Sequence, residues 1–356
     1  MRVMGGDQVE QAVAGTVTLL RTVTQRDWTA VPAGRLEWDC RRTVLHIADD
    51  LIAYAGQLAG RARDTYVPFE IALEEGTGNE GLLDVVETTG ALLAAAVRTA
   101  PRKARAFHPY PFRSANREGF AAMGVAEVLV HTHDVAQGLG LAYQPPAGLS
   151  DFVLRRIFPH VRPDSDPWRT LLWATGRAEL PGREPVTEWR WYNNLVIPAD
   201  RLALEGVTPA AAADLAVGGD GGFGWLGGSP AEGTRVGAEL VVAKQYEAGT
   251  HRPEWGMFAL VRHEDDAALG AVGFHGVPDE SGRVEVGYDL VEPARGHGYA
   301  TEALRTLSAR ALAQDAVRVV TARVDLGNRA SQRVLERAGF RRVAEDAENF
   351  TYELRG

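Results

Sequence analysis

Residues 285–300 read EVGYDLVEPARGHGYA, and this stretch decides the fold of the second half of the chain. Val284, Val286, Tyr288 and Leu290 alternate with Glu285, Gly287 and Asp289, the period-2 pattern of a strand with two unlike faces. Pro293 stops the strand, because proline has no N–H to give a ladder. The turn from Arg295 to Ala300 then opens a helix, TEALRTLSARALAQ. Such a turn points several backbone N–H groups at one place beside the positive end of the helix, which makes an anion cradle. Gly296 and Gly298 carry no Cβ, so a pyrophosphate can approach the main chain, and Arg295 adds a charged fork of donors. A plain strand-to-helix turn is the alternative reading of this hexamer alone.

Further along stand a strand, VRVVTARVDL (Val317 to Leu326), and a short helix, NRASQRVLERAGF (Asn328 to Phe340), that ends at Gly339. R-G-x-G-x-A opening one helix, followed by N-x-A-S-x-x-V-L-x-x-x-G-F, resembles the GNAT superfamily of acyl-CoA-dependent N-acyltransferases. The spacing is most similar to ribosomal-protein N-terminal acetyltransferases and related small-molecule and antibiotic acetyltransferases. The resemblance covers Leu195 to Gly356. It implies an α+β fold with a mixed, mostly antiparallel central sheet, acetyl-CoA as cofactor and an amine as acceptor. It also implies cofactor contacts at Leu290, Val291, Arg295, Gly296, His297, Gly298, Tyr299, Ala300, Asn328 and Ser331. In that superfamily backbone groups near Leu290 and Val291 would hold the pantetheine arm and the developing oxyanion.

Glu285 resembles the acid with which many family members take the amine proton, directly or through water. A carboxylate does this well only where burial raises its pKa; the alternative is that Glu285 orients a cationic acceptor. His297 reads as a solvent-facing filler of the turn, and Asn328 reads equally as a helix N-cap. The chain departs from many relatives at Leu335, where they carry a tyrosine as general acid for the leaving thiolate.

Length and composition agree with this division. A chain of 356 residues favours two domains, and 45% hydrophobic with 24% charged residues describes a soluble globular protein. The opening MRVMGGDQVEQAVAG lacks the plan of a signal peptide, and no run of 18 apolar residues offers a membrane span, so a cytoplasmic location without a membrane partner is expected. A net charge of −9 argues against nucleic acid as partner. The one cysteine, Cys40, excludes an internal disulfide and reads as a buried thiol.

The first half is helix-rich. Apolar spacing predicts long helices at Val9–Val23, from Val44 through Leu58, at Gly81–Ala100 and at Phe120–Leu141, suggesting an antiparallel bundle. LPGREPVTEWRWYNN follows as a closing extended arm. The character turns strand-rich around Asn193–Ala199, which sets domains of 1–194 and 195–356. In the second domain the glycine-rich stretch Gly218–Ser229 reads as a mobile loop near the acceptor site, and MFALVRHEDDAALGAVGFHG as a hairpin turning at Asp265-Asp266.

Glu127 and His131 stand four apart on one helix and can share an ion, and His46 can add a third ligand from another helix. H-x-A-x-x-L around His46 and E-x-x-x-H-x-x-D around Glu127 resemble the mycothiol-dependent maleylpyruvate isomerase family, relatives of DinB-like metalloenzyme bundles, over residues 8–192. The resemblance implies an all-α four-helix bundle, zinc held by His46, Glu127 and His131, and an open position for a thiol cofactor such as mycothiol. The alternative for His46 is an exposed histidine beside Asp49 and Asp50.

The leading expectation is an acetyl-CoA-dependent N-acetyltransferase acting on a primary amine, with a zinc-binding helical accessory domain. Its rival makes the bundle a mycothiol-dependent isomerase or transferase. A third reading makes the bundle a dimerisation or substrate-presenting module, with a homodimer as the assembled form.

Overall fold

Helical spacing produces four long helices in the first part of the chain: α1 (Gly6–Arg21), α2 (Cys40–Gly60), α3 (Asn79–Thr99) and α4 (Arg117–Leu139). Asp39 caps α2 by accepting from the Arg42 N–H, and Asn116 caps α4 by accepting from the Gly119 N–H. The computed structural model describes residues 5–109 and 112–356. These pack as two units, one reaching Phe158 and resuming over Pro163–Asn193, the other made of Pro159–Arg162 and Asn194–Gly356.

In the helical unit α4 is buried on nearly every side from Gly119 to Ala136, which explains why FAAMGVAEVLV carries no polar face. Helices α1 and α2 each pack on both α3 and α4. Arg98, at the end of α3, pairs with Asp7 and Glu10 at the start of α1, while Arg21 at the end of α1 meets Asp84 and Glu87, so α1 and α3 run antiparallel. The start of α2 meets the start of α3, where Arg41 donates to Asn79, so these two run parallel. Helices α1 and α4 are parallel as well, Gly5 lying against Ala121 and Arg26 reaching the Leu139 carbonyl. The expected uniformly antiparallel arrangement is thereby corrected. The long connection 61–78 lets the chain cross back along the unit between the parallel α2 and α3, whereas only short loops force neighbours to be antiparallel.

Two short strands, β1 (Arg105–Ala106) and β2 (Ala115–Asn116), and helices α5 (Ala147–Ile157) and α6 (Pro167–Ala174) complete this unit. Cys40 is fully buried, and burial pushes its thiol up to about 11, as expected of a structural cysteine. Among the described residues no helix is long and apolar enough to cross a membrane.

The second unit is built on an eight-stranded mixed sheet. Its strands are β3 (Val196–Pro198), β4 (Leu202–Gly206), β5 (Met257–Arg262), β6 (Ala268–Phe274), β7 (Arg283–Leu290), β8 (Val319–Asp325), β9 (Arg341–Glu345) and β10 (Asn349–Arg355), in the order β3-β4-β5-β6-β7-β8-β10-β9. Every neighbouring pair is antiparallel except β7 and β8, which are parallel. Helix α7 (Pro209–Ala216) follows β4. The helix expected near Val236–Glu247 is α8 (Glu232–Gly237), a wide π turn over Ala238–Ala243, and α9 (Lys244–Ala248). Helix α10 (Tyr299–Leu312) joins β7 to β8, and α11 (Arg329–Arg337) follows β8.

The glycine-rich stretch is more anchored than its composition suggests. Phe223 and Trp225 are buried, the Trp225 indole donates to the Asp220 carbonyl, and the Leu226 N–H donates to Ala268 at the start of β6. Two aromatic anchors outweigh the freedom of the glycines around them.

Candidate functional site

The site starts where the only parallel pair of the sheet comes apart. Strands β7 and β8 are in register from Arg283↔Val319 to Glu285↔Thr321, and pairing then ceases although both strands continue. The His275 N–H bonds the Glu285 carbonyl, so ladder alternation turns the main-chain groups of Val286 and Tyr288 away from β6 and toward the opening. The Val286 N–H still closes the Glu285↔Thr321 bridge, so the Val286 carbonyl and the Tyr288 main-chain groups, rather than those of Val291, face the gap. The Val291 N–H is taken by the Leu269 carbonyl and its side chain is buried, so the freed backbone expected at Val291 is not there. At Leu290 the N–H is held by the Asp289 carboxylate, and the carbonyl accepts from the Arg295 guanidinium at 3.1 and 3.2 Å.

A cavity of about 420 Å³ fills this opening. Of the expected cofactor residues, Leu290, Arg295, Gly296, Gly298, Ala300, Asn328 and Ser331 line it, whereas Val291, His297 and Tyr299 do not. His297 is exposed, its carbonyl accepting from Arg201, and the Tyr299 ring lies 4.5 Å beneath the Arg201 guanidinium. Gly296 and Gly298 take φ of 81° and 82°, which a residue with a Cβ adopts only under strain. No side chain caps α10, so the N–H groups of its first turn are available to an anion. Asn328 caps α11 by accepting from the Ser331 N–H at 3.0 Å, and it lines the cavity too.

Sequence reading missed Tyr288. Its hydroxyl lies 2.6 Å from Ser331 Oγ, and burial pushes the phenol up to about 12, so it stays protonated at neutral pH. Alternation placed Tyr288 on a strand face, but only the tertiary fold brings it to Ser331. Leu335 is buried in the core and offers the cavity nothing. Arg333 and Arg337, one turn apart on α11, also line the cavity; their i, i+4 spacing was a visible signal.

Glu285 stands on the opposite face of β7, with His275 Nδ1 at 3.3 Å from its carboxylate. Its pKa is lowered, first by hydrogen bonding with His275 and against the opposing effect of burial. The upward shift expected of a carboxylate base is therefore absent: the side chain is too exposed and too well partnered.

In the helical unit His46, Glu127 and His131 offer one ligand atom each, all within 4.8 Å of one another. Glu127 and His131 are buried and His46 is partly covered, which settles against a fully exposed His46. Asp134 meets His131 Nδ1 at 3.1 Å and is itself gripped by Arg177, leaving His131 Nε2 turned toward Glu127 at 3.1 Å. Asp50 lies 3.1 Å from His46 Nε2, and burial, then Glu127, pushes its carboxyl up to about 9. His133 instead packs edge-on to Trp168.

Residues 201–341 match the family model described as an acetyltransferase (GNAT) domain. The second unit carries a GNAT acetyltransferase domain. The chain is 37% identical over 81 residues to the uncharacterized N-acetyltransferase YjdG of Bacillus subtilis, covering 23% of this chain and 48% of that protein. It is 31% identical over 85 residues to the uncharacterized N-acetyltransferase p20 of Bacillus licheniformis, covering 24% and 48%. The chain thus spans about half the length of the curated relatives it matches. An acetyltransferase from Agrobacterium tumefaciens of known structure is 24% identical, covering 49% of this chain and 100% of that one, with a TM-score of 0.33.

Gly270 of β6 sets the position of the β7 tip in the GNAT domain. A Cβ there would stand 2.0 Å from the Asp289 carbonyl, so any side chain pushes the tip of β7 away. Gly270→Ala is expected to destabilise the protein by about 1–3 kcal/mol through overpacking and to weaken acetyl-CoA binding. Gly224→Ala, with open space around it, should be neutral in both respects. Thermal unfolding and calorimetric titration of the two variants check this.

Proposed function

We propose that the chain is an acetyl-CoA-dependent N-acetyltransferase for a primary amine, with residues 195–356 as the transferase and residues 1–194 as a helical accessory domain. The observation that carries this reading is the opening of β7 from β8 beside an uncapped, glycine-bearing helix N-terminus. The α10 N-terminus and the turn of Gly296 and Gly298 would hold the pyrophosphate, with Arg333 and Arg337 supplying charge at the cavity wall. The Val286 carbonyl would hold the pantetheine arm, and the Tyr288 N–H the thioester oxygen as it gains charge. Asn328 would line the pantetheine path.

In the reaction the neutral amine attacks the thioester carbon, a C–N bond forms, the C–S bond breaks, and the amine loses one proton. The Ser331 hydroxyl, held by Tyr288, would pass a proton to the departing thiolate and regain one from solvent, which receives the proton the amine gives up. Glu285 would act from the other face of β7 as a fixed negative charge toward the acceptor. Titration of acetyl-CoA into wild type should give micromolar binding, and Gly298→Glu should weaken it at least tenfold, or roughly 1.4 kcal/mol. Absence of binding to wild type would overturn the reading.

A second property is favoured by the ligand cluster of the helical unit. Two imidazoles and a carboxylate, with Asp134 fixing one ring, fit a zinc-like divalent ion. His46, Glu127 and His131 would hold it, and a bound ion would supply Lewis-acid chemistry or lower the pKa of a bound thiol or water. Metal analysis of purified protein should find about one divalent ion per chain, with His131→Ala losing it; equal metal in both would contradict the assignment.

A further inference from the structure

Charge is spread unevenly over the helical unit. Between Thr88 and Arg117 the chain carries Arg98, Arg102, Lys103, Arg105, Arg113 and Arg117 and no aspartate or glutamate, although its net charge is −9. Two of these, Lys103 and Arg105, meet Arg61 and Arg63 of the loop after α2 around a cavity of about 430 Å³. The remaining wall is uncharged, and among the described residues no carboxylate lines it. The cavity shares no residue with the pocket over His46 or with the cofactor cavity of the other unit.

The frame behind these charges is fixed. Gln57 of α2 is fully buried, donates to the Phe107 carbonyl at 2.9 Å and accepts from the Val67 N–H at 2.9 Å, and the Phe107 N–H donates to the Ala62 carbonyl. Those bonds tie the loop after α2 to the segment that follows β1, so the two cationic arms keep their separation. Arg105 is oriented as well, its Nε and Nη2 donating to Ser114 Oγ across the β1–β2 hairpin at 3.1 and 2.9 Å. Arginines that fasten helices in this unit are differently placed: Arg21 meets Glu80, Asp84 and Glu87, and Arg98 meets Asp7 and Glu10. Arg61 and Arg63 have no ion pair among the described residues, and the neighbouring Asp64 does not line the cavity. Like charges that converge without a counter-charge repel one another, and an anion between them removes that repulsion.

We propose that this cavity is a binding site for a small phosphorylated molecule carrying two or more negative charges. Guanidinium forks bond pairs of phosphate oxygens, and the lysine adds a point charge. A terminal phosphoryl group offers three oxygens, so cations from both arms can bond it at once, whereas a carboxylate offers two in one plane. A volume of about 430 Å³ lies in the range of small-molecule pockets. The site stands apart from both the transferase chemistry and the metal cluster, and needs neither.

The test is calorimetric titration of inorganic pyrophosphate, as the probe, into the whole protein at fixed ionic strength. The glycine-bearing turn before α10 can also take this anion, so Gly298→Glu, which fills that turn, is titrated beside wild type. Gly298→Glu should keep a pyrophosphate site that prefers pyrophosphate to citrate and to sulfate at least tenfold. Adding Arg61→Gln and Arg63→Gln together should weaken that site at least tenfold, and Lys103→Gln, from the opposite arm, severalfold. Thermal unfolding checks that each variant is folded, and the arms are tested separately so that one suffices if the other is unstable. The same loss of charge at the exposed Arg318 and Arg341 should leave the affinity unchanged. No pyrophosphate binding to Gly298→Glu, affinity insensitive to both arms, or equal weakening by the Arg318 and Arg341 pair overturns the site. Equal or tighter binding of citrate or sulfate overturns the phosphate class.

Discussion

Two parallel strands that pair over three residues and then part are the constraint on which the second unit depends. Parallel strands exchange slanted hydrogen bonds with two neighbours, so beyond the Val286 N–H, which closes the last bridge, the β7 groups that turn toward β8 have no partner there. Unpaired groups of that kind are costly wherever water is kept from them. A ligand that enters the opening and satisfies them recovers that cost, and the site is then a consequence of the sheet rather than an addition to it. Gly270 contributes from the neighbouring strand, because its bare Cα lets the tip of β7 lie closer than any side chain would allow.

The two faces of β7 divide the chemistry. Tyr288 and Leu290 look into the cavity where α10 and α11 present their N-terminal ends, and Ser331 meets Tyr288 there. Gly287 and Asp289 line an apolar groove on the other face, with His275 laid over the glycine and beside Glu285. The cluster in the helical unit is separate chemistry. Its two histidines and glutamate are oriented by Asp134 and Arg177, the kind of outer partners that ligating imidazoles use.

Much of this was legible in the sequence because it depends on local rules. The alternation of β7, the positive-φ glycines at 296 and 298, and the Asn328 cap are each decided by a few neighbouring residues. The i, i+4 pair of Glu127 and His131 is local in the same sense. What escaped was non-local. Tyr288 looked like an ordinary strand residue until α11 brought Ser331 to it, and His275 sits one strand away from Glu285 with no sequence signal beyond the hairpin. Val291 failed as a freed backbone group because β6 extends far enough for Leu269 to claim its N–H. The helix directions in the first unit failed for a related reason, since loop length does not say which way a long connection returns.

Hydrogen–deuterium exchange of the whole protein, with and without acetyl-CoA, tests most directly whether the parted strands are the cofactor site. Amides of residues 286–290, 296–300 and 328–331 should slow on addition of acetyl-CoA, while those of α1 to α4 should not change. Unaltered exchange in these three segments, or slowing confined to the helical unit, would contradict the account.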